Sequence, residues 1–129
     1  KMMKLLDYSD MIFYKESGIS ISGMQYAHLP YGPVPVKFDI LLGTMEADKV
    51  AHIEIIYENE YEKHQIVPDR AMPKGVLSKE ELEVLERINK KFKNYGSVEI
   101  SNYSHKKKGY IETQTGEVIS YAYAKDIEL

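Results

Sequence analysis

Four histidines, at His28, His52, His64 and His105, are the first place to look for chemistry in this 129-residue chain. None forms an HxH, HxxxH or HExxH pair, and zinc sites rely on three or four ligands that usually include a local pair. The sequence therefore nominates no metal site. Cysteine is absent, which removes thiolate ligands, disulfides and a cysteine nucleophile together. No GxSxG elbow presents a serine, and neither Gly32-Pro33 nor the Gly18 to Gly23 stretch has the spacing of a phosphate-cradling loop. Glu58, Glu60 and Glu62 put carboxylates close together, but on an expected polar turn where solvated charge is the plain explanation. These patterns nominate no catalytic residue and no cofactor, and lead us to expect a protein that is not an enzyme. Only His105 and scattered acids would motivate a small hydrolase.

Two stretches remain. Lys106-Lys107-Lys108 is the one basic run, and it follows two expected helices in a layout similar to a helix-turn-helix. It is read either as a solvated helix end or as a DNA contact. The overall charge of −3 argues for the former, because nucleic-acid binding runs on phosphate neutralisation. The second stretch, Tyr26-Ala27-His28-Leu29-Pro30-Tyr31-Gly32-Pro33-Val34-Pro35, packs three prolines, two tyrosines and a glycine into ten residues. Such a loop is stiff and aromatic, so it loses little entropy on meeting a partner. Its alternative role is a turn packing the first helix on the second. Eleven tyrosines and no tryptophan also suit a binding protein, since Tyr joins a large apolar face to a hydroxyl.

The elements that must position these residues follow from periodicity. Leu5, Tyr8, Ser9, Ile12, Phe13 and Glu16 share a helical face, which predicts an amphipathic helix over Met3 to Ser17 stopped by Gly18. Ile19 and Ile21 alternate with serines and hint at a brief strand. Pro35 is placed at the first turn of a second helix over Val36 to Glu46, with Phe38, Leu41, Leu42 and Met45 on one face. Val50 to Tyr57 and Tyr61 to Val67 read as a hairpin around Glu58-Asn59-Glu60. The adjacent Ile55 and Ile56 require either a bulge or burial on both faces. A loop over Pro68 to Val76 precedes a helix from Ser78, whose Ser-Lys-Glu-Glu start is a capping box. Ser97 is placed as the cap of a shorter helix to about Ser104, and Val118 to Tyr121 as a short strand after a Thr115-Gly116 turn. The fold class is α+β: one mainly helical domain over residues 1–129 with a small antiparallel sheet or hairpin. No apolar run is long enough to suggest a membrane span. The expected setting is cytoplasmic.

Four blocks resemble the Panacea (SocA-like) antitoxin domain family. They are Lys4-Leu5-Leu6-Asp7-Tyr8-Ser9-Asp10; Ile21-Ser22-Gly23-Met24-Gln25-Tyr26 with Tyr31-Gly32-Pro33-Val34-Pro35; the helix from Leu77 through Phe92; and Ser104-His105 with Gly116-Glu117-Val118-Ile119-Ser120-Tyr121. Their order and spacing carry the likeness. After the Ser-His pair the family tends to have a proline and a tryptophan. Here Tyr110 stands where the tryptophan would be.

The resemblance implies an antitoxin of bacteria or phages that neutralises a cognate toxin, encoded by a neighbouring gene, through direct contact. It implies no catalytic residues. Its partner-binding or family-motif positions are Tyr26, Tyr31, Gly32, Pro33, Val34, His105 and Tyr110. Such domains are often joined to a helix-turn-helix region. With the start at Lys1, this leads us to expect the trimmed part of a longer protein. The second function is a DNA-binding or sensor domain of a transcriptional regulator. A homo-oligomer is compatible with either.

Overall fold

The computed structural model describes residues 1–129. Its elements are α1 (Met2–Ser17), β1 (Tyr26–Leu29), β2 (Gly32–Pro35), α2 (Phe38–Ala47), β3 (Ala51–Glu58), β4 (Tyr61–Pro68), α3 (Lys79–Phe92), α4 (Ser97–Ser104), α5 (Lys108–Ile111) and β5 (Val118–Ile119), followed by a 3-10 helix over Tyr121–Asp126. The fold is α+β. Two compact units are present, one of residues 1–36 with 77–129 and one of residues 37–76.

The first unit is built around α1. Tyr8, Met11, Ile12 and Phe13 of this helix meet Val84, Ile88 and Phe92 of α3, Ile100 of α4, Tyr26 of β1, and Ala124 and Ile127 near the C-terminus. Aromatic rings fill its centre: Tyr8 lies 4.8 Å from Phe92, and Tyr95 and Tyr103 meet Phe92 edge-on. The Ser78 capping box forms as the sequence predicts, with the hydroxyl taking the Glu81 amide and the Glu81 carboxylate taking the Ser78 amide. Gly18 ends α1 in the left-handed conformation, φ 82°. At the shorter helix the cap is Gly96 rather than Ser97, and Glu99 accepts the Gly96 amide.

Three local expectations are corrected. The Tyr26 to Pro35 stretch is a β-hairpin, β1–β2, in a three-stranded antiparallel sheet ordered β2-β1-β5. Pro35 ends β2 opposite Tyr26 instead of opening a helix, and α2 starts at Phe38 after Lys37 turns through φ 63°. Prolines are tolerated here because β2 is an edge strand. The Val36 amide bonds inward to Gln25, so the alternate nitrogens of Pro33 and Pro35 fall on the outer side, where no donor is needed. Ile19 to Ile21 forms no strand. The Asp10 carboxylate binds the Ser22 amide and the Ser20 hydroxyl binds the Gly23 amide, so side chains take groups that a ladder would need.

The second unit is α2 with the β3–β4 hairpin. Pairing is continuous from Ala51↔Pro68 to Glu58↔Tyr61, with no bulge. Asn59 and Glu60 both adopt positive φ, 46° and 69°, the two-residue loop that matches strand twist.

Candidate functional site

The segment the sequence singles out is gripped from one side by α4, α5 and the turn after them. Ser101 donates its hydroxyl to the Tyr31 carbonyl at 2.6 Å, and the Tyr110 hydroxyl donates to the Leu29 carbonyl at 2.6 Å. The Tyr110 ring lies flat between two imidazoles, 3.7 Å from His28 and 4.7 Å from His105, with interplanar angles of 11° and 13°. Thr113 Oγ1 lies 2.7 Å from the Gly109 carbonyl and 2.9 Å from His28 Nδ1. Nε2 of His105 is buried with no hydrogen-bond partner. Tyr110 therefore stacks against His28 of the hairpin and His105 after α4, and bonds the hairpin backbone.

Gly32 shows how tight the grip is. It has φ 111°, and a Cβ added there would stand 2.4 Å from Ser104 Oγ and 2.7 Å from Lys4 Cε. Backbone conformation and space both demand glycine. Gly32→Ala is expected to cost about 2 kcal/mol or more, from overpacking plus positive-φ strain, measured by urea denaturation. An unchanged unfolding midpoint would show that the hairpin is not held against Ser104.

Beneath the hairpin lie charged side chains of α1. Lys4, Asp7 and Asp10 of α1 are all buried. Asp10 accepts from the Ser22 amide at 2.8 Å, the Ser22 hydroxyl at 2.5 Å and the Tyr26 hydroxyl at 2.5 Å. Burial, with the Asp10 hydrogen bond second, pushes the Tyr26 phenol far above its usual range. Asp7 pairs with Lys107, whose ammonium also lies 4.4 Å from the centre of the Tyr8 ring. Desolvation pushes Lys107 down to about 7, and the Lys4 charge adds to that; the touching Asp7 carboxylate opposes it.

The lysine run is thus only partly a solvated helix end: Lys106 and Lys108 are exposed, and Lys107 turns inward. Lys107 is buried, Lys106 lies 5.9 Å from the Tyr103 ring centre, and Lys108 faces Glu112 at 3.9 Å. The physical reason is register: the chain between α4 and α5 carries Lys107 inward over Asp7 while its neighbours stay outside.

Of the positions expected to matter, Tyr31, Gly32, Pro33 and Val34 lie on β2 or the turn before it, and His105 and Tyr110 sit in the clamp. Tyr26 stands at the far end of β1, tied to Asp10. Pro33 and Tyr26 are fully buried, whereas Tyr31 at the hairpin tip is 78% exposed. Sequence patterns did not single out Ser101, Thr113, His28 or the Asp7–Lys107 pair as site residues. Acidic residues three apart on an otherwise apolar helix, Asp7 and Asp10, were the available signal. No group of three or more His, Cys, Asp or Glu side chains converges as a metal site would require.

The fold and site together define an α+β protein whose ordered aromatic hairpin is held out on a helical scaffold, an arrangement suited to recognition. The chain belongs to the antitoxin SocA-like, Panacea domain family, which matches residues 2–110. Neither a curated protein nor a solved structure matches the chain. An antitoxin role in the general sense follows from that membership. No helix is long and apolar enough to cross a membrane.

Proposed function

We propose that this protein neutralises a cognate toxin by direct contact, and that the β1–β2 tip touches the toxin. The observation that carries the proposal is Tyr31: its ring is exposed while its backbone is fixed by Ser101 and its neighbours by Tyr110. A large aromatic side chain on a rigid mount pays little ordering entropy on binding, which is the character of interface hot spots. Tyr26, Pro33, His105 and Tyr110 act as mounts rather than contacts.

The deciding experiment is co-expression with the product of the neighbouring gene, scoring growth and co-purification. Tyr31→Ala is expected to keep the melting temperature and weaken binding by about tenfold or more. A folded variant that binds and rescues growth like the unaltered chain would remove the tip from the interface. The DNA-binding alternative keeps Lys106 and Lys108 on the surface but loses Lys107, which turns inward to Asp7.

A further inference from the structure

The second unit is short of a core. Of residues 37–76 only Ala51 is buried. No residue of α2 is buried, and β4 has none. A two-stranded ribbon is marginal by itself in water. Strand alternation puts Ile53, Ile55, Tyr57 and the facing Ile66 on one side, and Ile56, Val67 and Tyr61 on the other. One helix, α2, packs on β3 within this unit. Apolar surface stays open on both sides towards the turn: Tyr57 is 76% and Ile55 50% exposed on one, and Tyr61 is 78% exposed on the other. The neighbouring Ile55 and Ile56 mark a ribbon built to be covered on both faces.

Charge indicates what covers it. The ribbon carries Glu54, Glu58, Glu60 and Glu62 against Lys63 alone, and three of the glutamates flank the two exposed tyrosines at the turn. Such a surface repels nucleic acid and anionic membranes, and a second copy would bring the acidic turns together. It attracts a basic protein face.

We propose that the turn end of the β3–β4 ribbon is a docking surface for a basic, partly apolar cleft of a protein partner, which covers Tyr57 on one side and Tyr61 on the other. The inference rests on the toxin being the partner, and adds a contact separate from Tyr31.

The test uses the full chain and the neighbouring gene's product, compared with Glu58→Lys/Glu60→Lys/Glu62→Lys and Tyr57→Ser/Tyr61→Ser. Charge reversal is expected to slow association about tenfold or more and to flatten its salt dependence. Loss of the tyrosines is expected to speed dissociation about tenfold or more. Hydrogen exchange of the unaltered protein needs no variant to fold: amides of 51–68 should exchange quickly in the free chain and slowly in the complex. Equal binding by both variants, or amides of 51–68 that exchange alike free and bound, would overturn the docking surface and leave the toxin proposal standing. Failure of the unaltered chain to bind would overturn both. Self-association that vanishes in Tyr57→Ser/Tyr61→Ser would assign the surface to a second copy instead and overturn the proposal.

Discussion

Lys107→Ala is expected to destabilise the protein by about 3–5 kcal/mol, the cost of leaving a buried carboxylate without its cation. Asp7 is 1% exposed and its Oδ1 already lacks a hydrogen-bond partner, so the lost ammonium leaves Lys4, one turn earlier on α1, as the other buried cation of this site. The Lys107 ammonium also lies 4.4 Å from the centre of the Tyr8 ring, so the variant loses that cation–π contact at the edge of the central aromatic cluster. Since small domains are stable by only about 5–15 kcal/mol, the variant should be visibly depleted in cells. Replacing both partners by apolar residues, Asp7→Leu/Lys107→Met, should recover most of the loss, because it removes the charges instead of stranding one. Urea unfolding of the three proteins tests this. A loss of about 1 kcal/mol or less in Lys107→Ala would mean the pair behaves like an exposed one.

The second large effect is alkaline unfolding. Tyr8 and Tyr26 are fully buried, and burial raises both phenols well above their usual range, with Tyr103 and Tyr95 adding for Tyr8 and Asp10 adding for Tyr26. The folded protein keeps these protons, whereas the unfolded chain releases them above about pH 10. Their contribution is therefore complete below that pH and is lost as pH rises through it. Each group removes about 1.4 kcal/mol per pH unit, so the pair removes about 3 kcal/mol per unit above about pH 10. Melting temperature should fall steeply once the tyrosine window is entered. Tyr8→Phe should lower the slope by about 1.4 kcal/mol per pH unit, leaving Tyr26 and the partly buried Tyr121, itself pushed up to about 12 by burial, to set the remainder. At neutral pH it should be at least as stable as the unaltered protein, because the Tyr8 hydroxyl has no hydrogen-bond partner to lose. A melting temperature that stays flat across about pH 9 to 11 would contradict buried, protonated phenols.

How much of this was legible beforehand depends on the range of the interaction concerned. The three long helices and the β3–β4 hairpin were readable because their signals are local: an apolar face at helical spacing, a capping box at Ser78 to Glu81, a polar turn at Glu58 to Glu60 between β-branched runs. The likeness in ordered blocks also anticipated the family. The Tyr26 to Pro35 segment was recognisable as stiff and aromatic, but its proline content argues against a strand. Only the edge position of β2, which comes from pairing with β1 alone, makes Pro33 and Pro35 acceptable there.

What tertiary structure alone decided is the fate of the charges. By themselves, the positions of Asp7 and Asp10 in α1 and of Lys107 in a basic run favour solvent, because isolated charges are costly to bury. Asp7 and Lys107 are brought together from opposite ends of the first unit, and Asp10 meets Tyr26 sixteen residues on. Each burial becomes tolerable only once its partner arrives. Amino-acid types and spacing determined the long helices and the β3–β4 hairpin. Contacts distant along the chain determined which polar groups hold Tyr31 in place.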